Sequence, residues 1–232
     1  MALFLSVVAA SASPVILSGS GFGAGTAFWQ NTSYDRNGQA HIGNWITNSG
    51  ASDVPNFYAN APGIGATWLG DGYTTFLFDF TNPTLDPNTI THWFSVTGWN
   101  DEFGIYNATD GTHIKLGNAW DQQYASVGRN APLFTPGLYG FYMVSGEGYT
   151  WYSGQLGFDN RSHFALFQGS TPYSWYLGME DATFTTHRTA DWDYNDVILE
   201  ITTPQPVPEP GGISLLGIGL LAIARAYRKW RV

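Results

Sequence analysis

Two acidic stretches late in the chain carry the side chains best suited to holding a metal ion. One is Gly178-Met179-Glu180-Asp181; the other is Asp191-Trp192-Asp193-Tyr194-Asn195-Asp196. Asp191, Asp193 and Asn195 have the D-x-D-x-N spacing of the first three ligands of calcium loops. A curving loop aims alternate residues at one point, and a hard cation prefers carboxylate and amide oxygens. Without the ion those carboxylates repel one another. The pattern is not an EF-hand, because Asp196 stands where glycine is needed and Thr202 where glutamate is needed. The expected site is a loop-to-strand junction holding Ca²⁺ through Asp191, Asp193, Asn195 and Asp196. Glu180 or Asp181 would reach across from the preceding strand. The alternative is a turn in which Asp193, Asn195 and Asp196 only accept hydrogen bonds from backbone amides.

Other chemistry is thinner. Asp101-Glu102 and Glu147 could form a carboxylate pair for glycoside hydrolysis, but nothing in their spacing pairs them. His41, His92, His113, His163 and His187 are scattered singly, and no H-E-x-x-H or G-x-S-x-G occurs. His92 and His163 fall within strand patterns and read as surface or hydrogen-bonded core residues. Gly19 to Gly25 lacks the strand-loop-helix setting of a phosphate loop. Cysteine is absent, which excludes disulfides, thiolate metal sites and cysteine nucleophiles together. The expectation is a protein without catalytic residues. Trp45, Tyr58, Trp68, Trp99, Trp120, Trp151, Tyr173 and Trp175 exceed the needs of one core, so a glycan-binding module is the rival reading. A secreted glycoside hydrolase comes after it.

The elements that must position these residues are strands. No stretch of the body keeps a 3.6-residue period, whereas alternation and short apolar runs recur. Phe76, Phe78 and Phe80 share one face; residues 90–96 read as the next strand. Asp110-Gly111 marks a hairpin between 103–106 and 112–116. Strands follow over 138–144, 149–153, 162–168 and 174–177, and Val197, Leu199 and Ile201 close the body. The expected fold is all-β, an antiparallel β-sandwich or jelly roll over residues 13–203, with a single C-terminal hydrophobic helix outside the domain. The net charge of −9 includes four basic residues of the tail, so the body is more acidic still. Phosphate repulsion makes nucleic acid an unsuitable partner, and a cation is favoured.

The ends read as sorting signals. Residues 1–12 are apolar or small, and Ala10-Ser11-Ala12 suits signal peptidase. No basic residue precedes Arg36, so the expected signal peptide is a truncated one. A buried first strand is the alternative. At the other end, residues 204–210 form a proline-rich linker, and Pro206, Pro208 and Pro210 favour an extended, protease-accessible chain. An apolar run follows, then Arg225, Arg228, Lys229 and Arg231. A helix over about 211–227 spans about 25 Å, short for a hydrocarbon core of about 30 Å. Bilayer thinning and snorkelling arginines can cover that mismatch. The basic end stays in the cytoplasm by the positive-inside rule, which places the body outside the cytoplasmic membrane.

Val207-Pro208-Glu209-Pro210, the apolar run and the basic end together resemble the PEP-CTERM sorting signal of Gram-negative bacteria, here over residues 207–232. That resemblance implies a partner, exosortase, which cuts near the Pro-Glu-Pro, removes the helix and passes the body to the cell surface or extracellular matrix, where exopolysaccharide is a further partner. A second likeness lies in the body. Phe164-Ala165-Leu166-Phe167, Gly178-Met179-Glu180-Asp181 and Asp193-Tyr194-Asn195-Asp196-Val197 resemble the closing hairpin of a bacterial domain family of unknown function. Residues 183–189 replace that family's glycine- and aspartate-rich stretch.

Overall fold

The computed structural model describes residues 13–19, 67–69, 73–80, 90–95, 97–121, 125–126, 137–183 and 194–202. The expected leader (1–12), the linker (204–210) and the sorting tail with its helix lie outside the described residues, as do Trp45 and Tyr58. Among the described residues there are twelve strands and no helix. In chain order they are β1 (Ser13–Ser18), β2 (Thr67–Leu69), β3 (Thr75–Phe80), β4 (Ile90–Phe94), β5 (Glu102–Asn107) and β6 (His113–Asn118). Then come β7 (Ala125–Ser126), β8 (Gly137–Val144), β9 (Thr150–Tyr152), β10 (Phe164–Gln168), β11 (Ser174–Met179) and β12 (Val197–Thr202).

These strands form two antiparallel sheets. One runs β1-β3-β8-β5-β6, with β9 also paired to β8; the other runs β2-β10-β11-β12-β4-β7. Alternation in the sequence builds the core between them. Phe76, Phe78 and Phe80 of β3, Phe103 and Ile105 of β5, and Tyr139, Phe141 and Met143 of β8 are buried on one face of the first sheet. Val197, Leu199 and Ile201 of β12 and Leu177 and Met179 of β11 are buried on the facing side of the second. The sheets meet through rings: Phe78 sets its edge against Trp175 at 6.3 Å, and His92 lies 5.0 Å from Phe103. Burial of each such phenylalanine contributes about 1.5–3 kcal/mol.

Three strands are not evident in the alternation: β1, β2 and β7. β1 begins at Ser13, immediately after the expected leader, and pairs with β3 from Ser13 opposite Asp79 to Ser18 opposite Thr75. β10 starts two residues later than the expected 162, because the Ser162 hydroxyl turns back to donate to the Phe164 carbonyl at 3.1 Å.

β8 serves two partners along one edge. Gly137 to Tyr139 pair with β3, and Tyr142 to Val144 pair with β9. Ser153 closes the gap between those partners. Its backbone N–H donates to the Phe141 carbonyl at 2.9 Å, and its carbonyl accepts from Phe76 N–H at 2.8 Å. Its hydroxyl accepts from Phe141 N–H at 2.9 Å and donates to the Phe76 carbonyl at 3.0 Å. Ser153 is fully buried, so both backbone groups depend on that hydroxyl. Ser153→Ala is expected to lower stability by about 2–4 kcal/mol, since each buried group left unpaired costs about 1–3 kcal/mol. Urea denaturation checks this, and a loss below about 1 kcal/mol would show that neighbouring groups take over.

The outward face of the first sheet is aromatic and polar. Gly140 lies under the Tyr106 ring, where any Cβ would collide with it. Tyr142 donates its hydroxyl to Glu102 at 2.9 Å, and Lys115 pairs with the same carboxylate at 3.1 Å. Burial, then the bond to Glu102, pushes the Tyr142 hydroxyl far above the ordinary tyrosine range.

Registration gathers the strand termini into two ends. Glu102 lies opposite both Asn118 and Val144, and Val144 opposite Thr150. In the second sheet, Met179 lies opposite Phe164 and Val197, and Ile198 opposite Phe94. All of these termini lie at one end of the sandwich. The β5–β6 turn and the pair Ser174–Thr202 lie at the other.

Candidate cation site at one end of the sandwich

Glu180 and Asp181 follow directly on β11, and Asn195 and Asp196 directly precede β12. Antiparallel pairing of Met179 with Val197 therefore brings the two acidic segments together. Glu180, Asp181, Asn195 and Asp196 are all buried. One carboxylate oxygen from each of Glu180, Asp181 and Asp196 lies within 4.8 Å of the others. Asp191 and Asp193 lie outside the described residues.

The loops are fastened around this cluster. Asp181 N–H donates to Asp196 Oδ2 at 2.7 Å, and Ala182 N–H reaches Glu180 Oε1 at 3.4 Å. Tyr194 takes a left-handed backbone conformation (φ 55°), uncommon for a bulky residue and worth about 1–3 kcal/mol of strain. Its buried ring and a 2.9 Å bond from its hydroxyl to the Ser162 carbonyl hold it there. That turn delivers Asn195 and Asp196 to the cluster in succession.

Thr97 and Asp101 join the cluster from the connection between β4 and β5. The Thr97 hydroxyl lies 2.6 Å from Asp181 Oδ2 and 3.0 Å from Asp101 Oδ2. It has a single hydrogen, so it serves one of these carboxylates at a time. Asp101 Oδ1 accepts from Gly146 N–H at 2.7 Å, and Asp101 is fully buried. Alternation across β5 sends its sequence neighbour Glu102 to the outward face, toward Lys115 and Tyr142. The structure thus separates Asp101 from Glu102 and places Asp101 beside Asp181. Glu147 lies on the turn between β8 and β9.

A buried stack supports the cluster from below. The rings of His163 and Trp151 lie parallel, 3.6 Å apart with 5° between planes. His163 Nδ1 donates to the Glu180 carbonyl at 2.9 Å, since a carbonyl only accepts. Nε2 faces Asp159 Oδ2 at 3.0 Å. Trp151 Nε1 points to the Asp181 carbonyl at 3.4 Å. Both carbonyls of the Glu180-Asp181 pair are thereby fixed. The sequence reads His163 as a surface or hydrogen-bonded core residue and counts Trp151 among the surplus aromatics, whereas Thr97 and Asp159 carry no signal in it. Each acts through a partner far away in sequence, and no local pattern marks such pairs.

This donor set fits a hard cation. Oxygens each about 2.4 Å from one Ca²⁺ stand at most about 4.8 Å apart, the limit the three carboxylates meet. Cysteine is absent, and both His163 nitrogens are engaged, so a soft-metal site does not fit these residues. Two unit charges about 4 Å apart repel by about 4 kcal/mol at an effective dielectric constant near 20, which a divalent ion would reverse.

Residues 206–229 match the PEP-CTERM protein-sorting motif. The chain matches none of the curated proteins and none of the solved structures. An all-β body followed by this motif defines an exported protein, sorted by exosortase to a surface or extracellular location. The likeness of residues 193–197 to a domain family of unknown function draws no support from that match, which is confined to the tail. Among the described residues no helix is long and apolar enough to cross a membrane, and the expected helix at about 211–227 lies outside them.

Proposed function

We propose that the chain is a non-enzymatic surface or matrix protein of a Gram-negative bacterium, a jelly-roll-like sandwich stabilised by Ca²⁺. The chain passes repeatedly between the two sheets, which favours the jelly-roll reading. A helix over about 211–227 holds the body at the cytoplasmic membrane, with Arg225, Arg228, Lys229 and Arg231 as the stop. Exosortase then cuts near Val207-Pro208-Glu209-Pro210 and releases the body to the surface. The sorting motif at residues 206–229 carries this reading. For calcium, the supporting observation is the convergence of buried Glu180, Asp181 and Asp196. Asn195 would add an amide oxygen, and Asp191 and Asp193 would complete the set.

Mass spectrometry tests the sorting. In a host with exosortase, the surface fraction should hold a chain shortened near residue 208. In the same host without exosortase, the full-length chain should stay with the membrane fraction. Identical size and location in both hosts would overturn the sorting account.

The second reading is a glycan-binding module. Trp99 and Trp120 are among the large apolar side chains left exposed, whereas Trp151 and Trp175 fill the core.

A further inference from the structure

Among the described residues seven large apolar side chains are exposed, and Trp99, Trp120, Tyr149 and Phe158 are four of them. All four lie on the loops at the end that carries the acidic cluster. Exposed aromatic rings gathered on one face mark an interaction site more often than scattered ones do.

The Trp99 ring is held rather than merely exposed, and the backbone that carries Trp120 is fastened. The Trp99 indole rests against Gly146, and any Cβ there would collide with it. Trp99 N–H donates to Thr97 Oγ1 at 3.0 Å, the same hydroxyl that meets Asp181. Trp120 N–H donates to Asn100 Oδ1 at 3.1 Å, and Ala119 N–H to the Asp101 carbonyl at 2.8 Å. Residues 97–101 thus fix the backbone at both tryptophans and join it to the acids. An indole packed like that of Trp99 loses little freedom on binding, and any tryptophan has only two side-chain torsions to fix, which suits a recognition platform.

Charge narrows the ligand. The body is strongly acidic, so nucleic acids, phosphate-bearing polymers and anionic lipid surfaces are repelled. A neutral sugar meets no such barrier. Pyranose rings with equatorial hydroxyls offer an apolar C–H face to an indole and a polar rim to groups such as Asn100 and Asp121. The acids themselves are buried, so an ion among them would order the loops rather than touch the sugar.

We propose that this end of the sandwich is a face for neutral β-linked polysaccharide, with Trp99 and Trp120 as its stacking platforms. The inference rests on the glycan-binding reading and names its site and ligand class. The test is retention of the full-length chain, in detergent, on insoluble cellulose and on chitin, at low and high salt. Retention on at least one polymer, insensitive to salt, is expected. Trp99→Ala and Trp120→Ala should each weaken it about tenfold or more, as for a central aromatic anchor. Leu138→Ala, at the opposite end, should change nothing. Melting temperature is followed for each variant; should Trp99→Ala unfold, the more exposed Trp120 decides alone. Retention unaffected by the Trp120 change would overturn this face while leaving glycan binding intact. Retention lost in salt would overturn the neutral class. No retention on either polymer would overturn the inference together with the reading beneath it.

Discussion

Millimolar Ca²⁺ raises the melting temperature of the full-length chain in detergent by about 5–10 °C over the chelated protein, and Asp196→Asn removes the rise. The size follows from mass action. An ion at about 100 times its dissociation constant stabilises the folded state by about 2.7 kcal/mol. In a domain of this size each kcal/mol moves the melt by about 2–4 °C. The amide introduced by Asp196→Asn would still offer an oxygen to Asp181 N–H, so the substitution tests the charge rather than the 2.7 Å hydrogen bond. Ser153→Ala, whose hydroxyl bonds Phe76 and Phe141 and none of the acids, should keep the full calcium response although it melts lower. A melt indifferent to calcium and chelator would leave the cluster as a purely hydrogen-bonded turn.

His163→Ala lowers the unfolding free energy by about 3–5 kcal/mol at fixed calcium, since each buried polar group left unpaired costs about 1–3 kcal/mol and ring packing is lost as well. Three losses combine: the bond to the Glu180 carbonyl, the bond to Asp159 and the stack on Trp151. The side chains of His163 and Asp159 are both sealed from water, so solvent does not replace the missing partner. His163→Phe keeps a ring against Trp151 and should recover only the packing part. Denaturant unfolding measures both variants. A loss below about 1 kcal/mol for the alanine variant would mean that the stack contributes little.

The parts of this fold legible from sequence are those with local signals. Phe76, Phe78 and Phe80 alternate without interruption, and Asp110-Gly111 announces its turn, where Asp110 Oδ1 accepts from Thr112 N–H at 2.8 Å. β7, two residues long, and β2, three, are too short to show a period. β1 was hidden because its apolar residues continue those of the leader. At the site, the acids stood out because like charges seldom crowd without reason. Asp101 was visible as an acid, but its tie to Asp181 spans both sheets and runs through Thr97, a residue with no signal of its own. The tail was readable because its order of proline, apolar run and arginine is itself the message, independent of tertiary structure.

The most direct test of a hard-cation site beneath these loops is Tb³⁺ luminescence excited through tryptophan. Tb³⁺ takes calcium's oxygen ligands, and Trp151 lies against the Asp181 carbonyl. Sensitised emission that Ca²⁺ displaces, and that Asp196→Asn abolishes, is the predicted result. Emission that is absent, or that persists unchanged in Asp196→Asn, would contradict it.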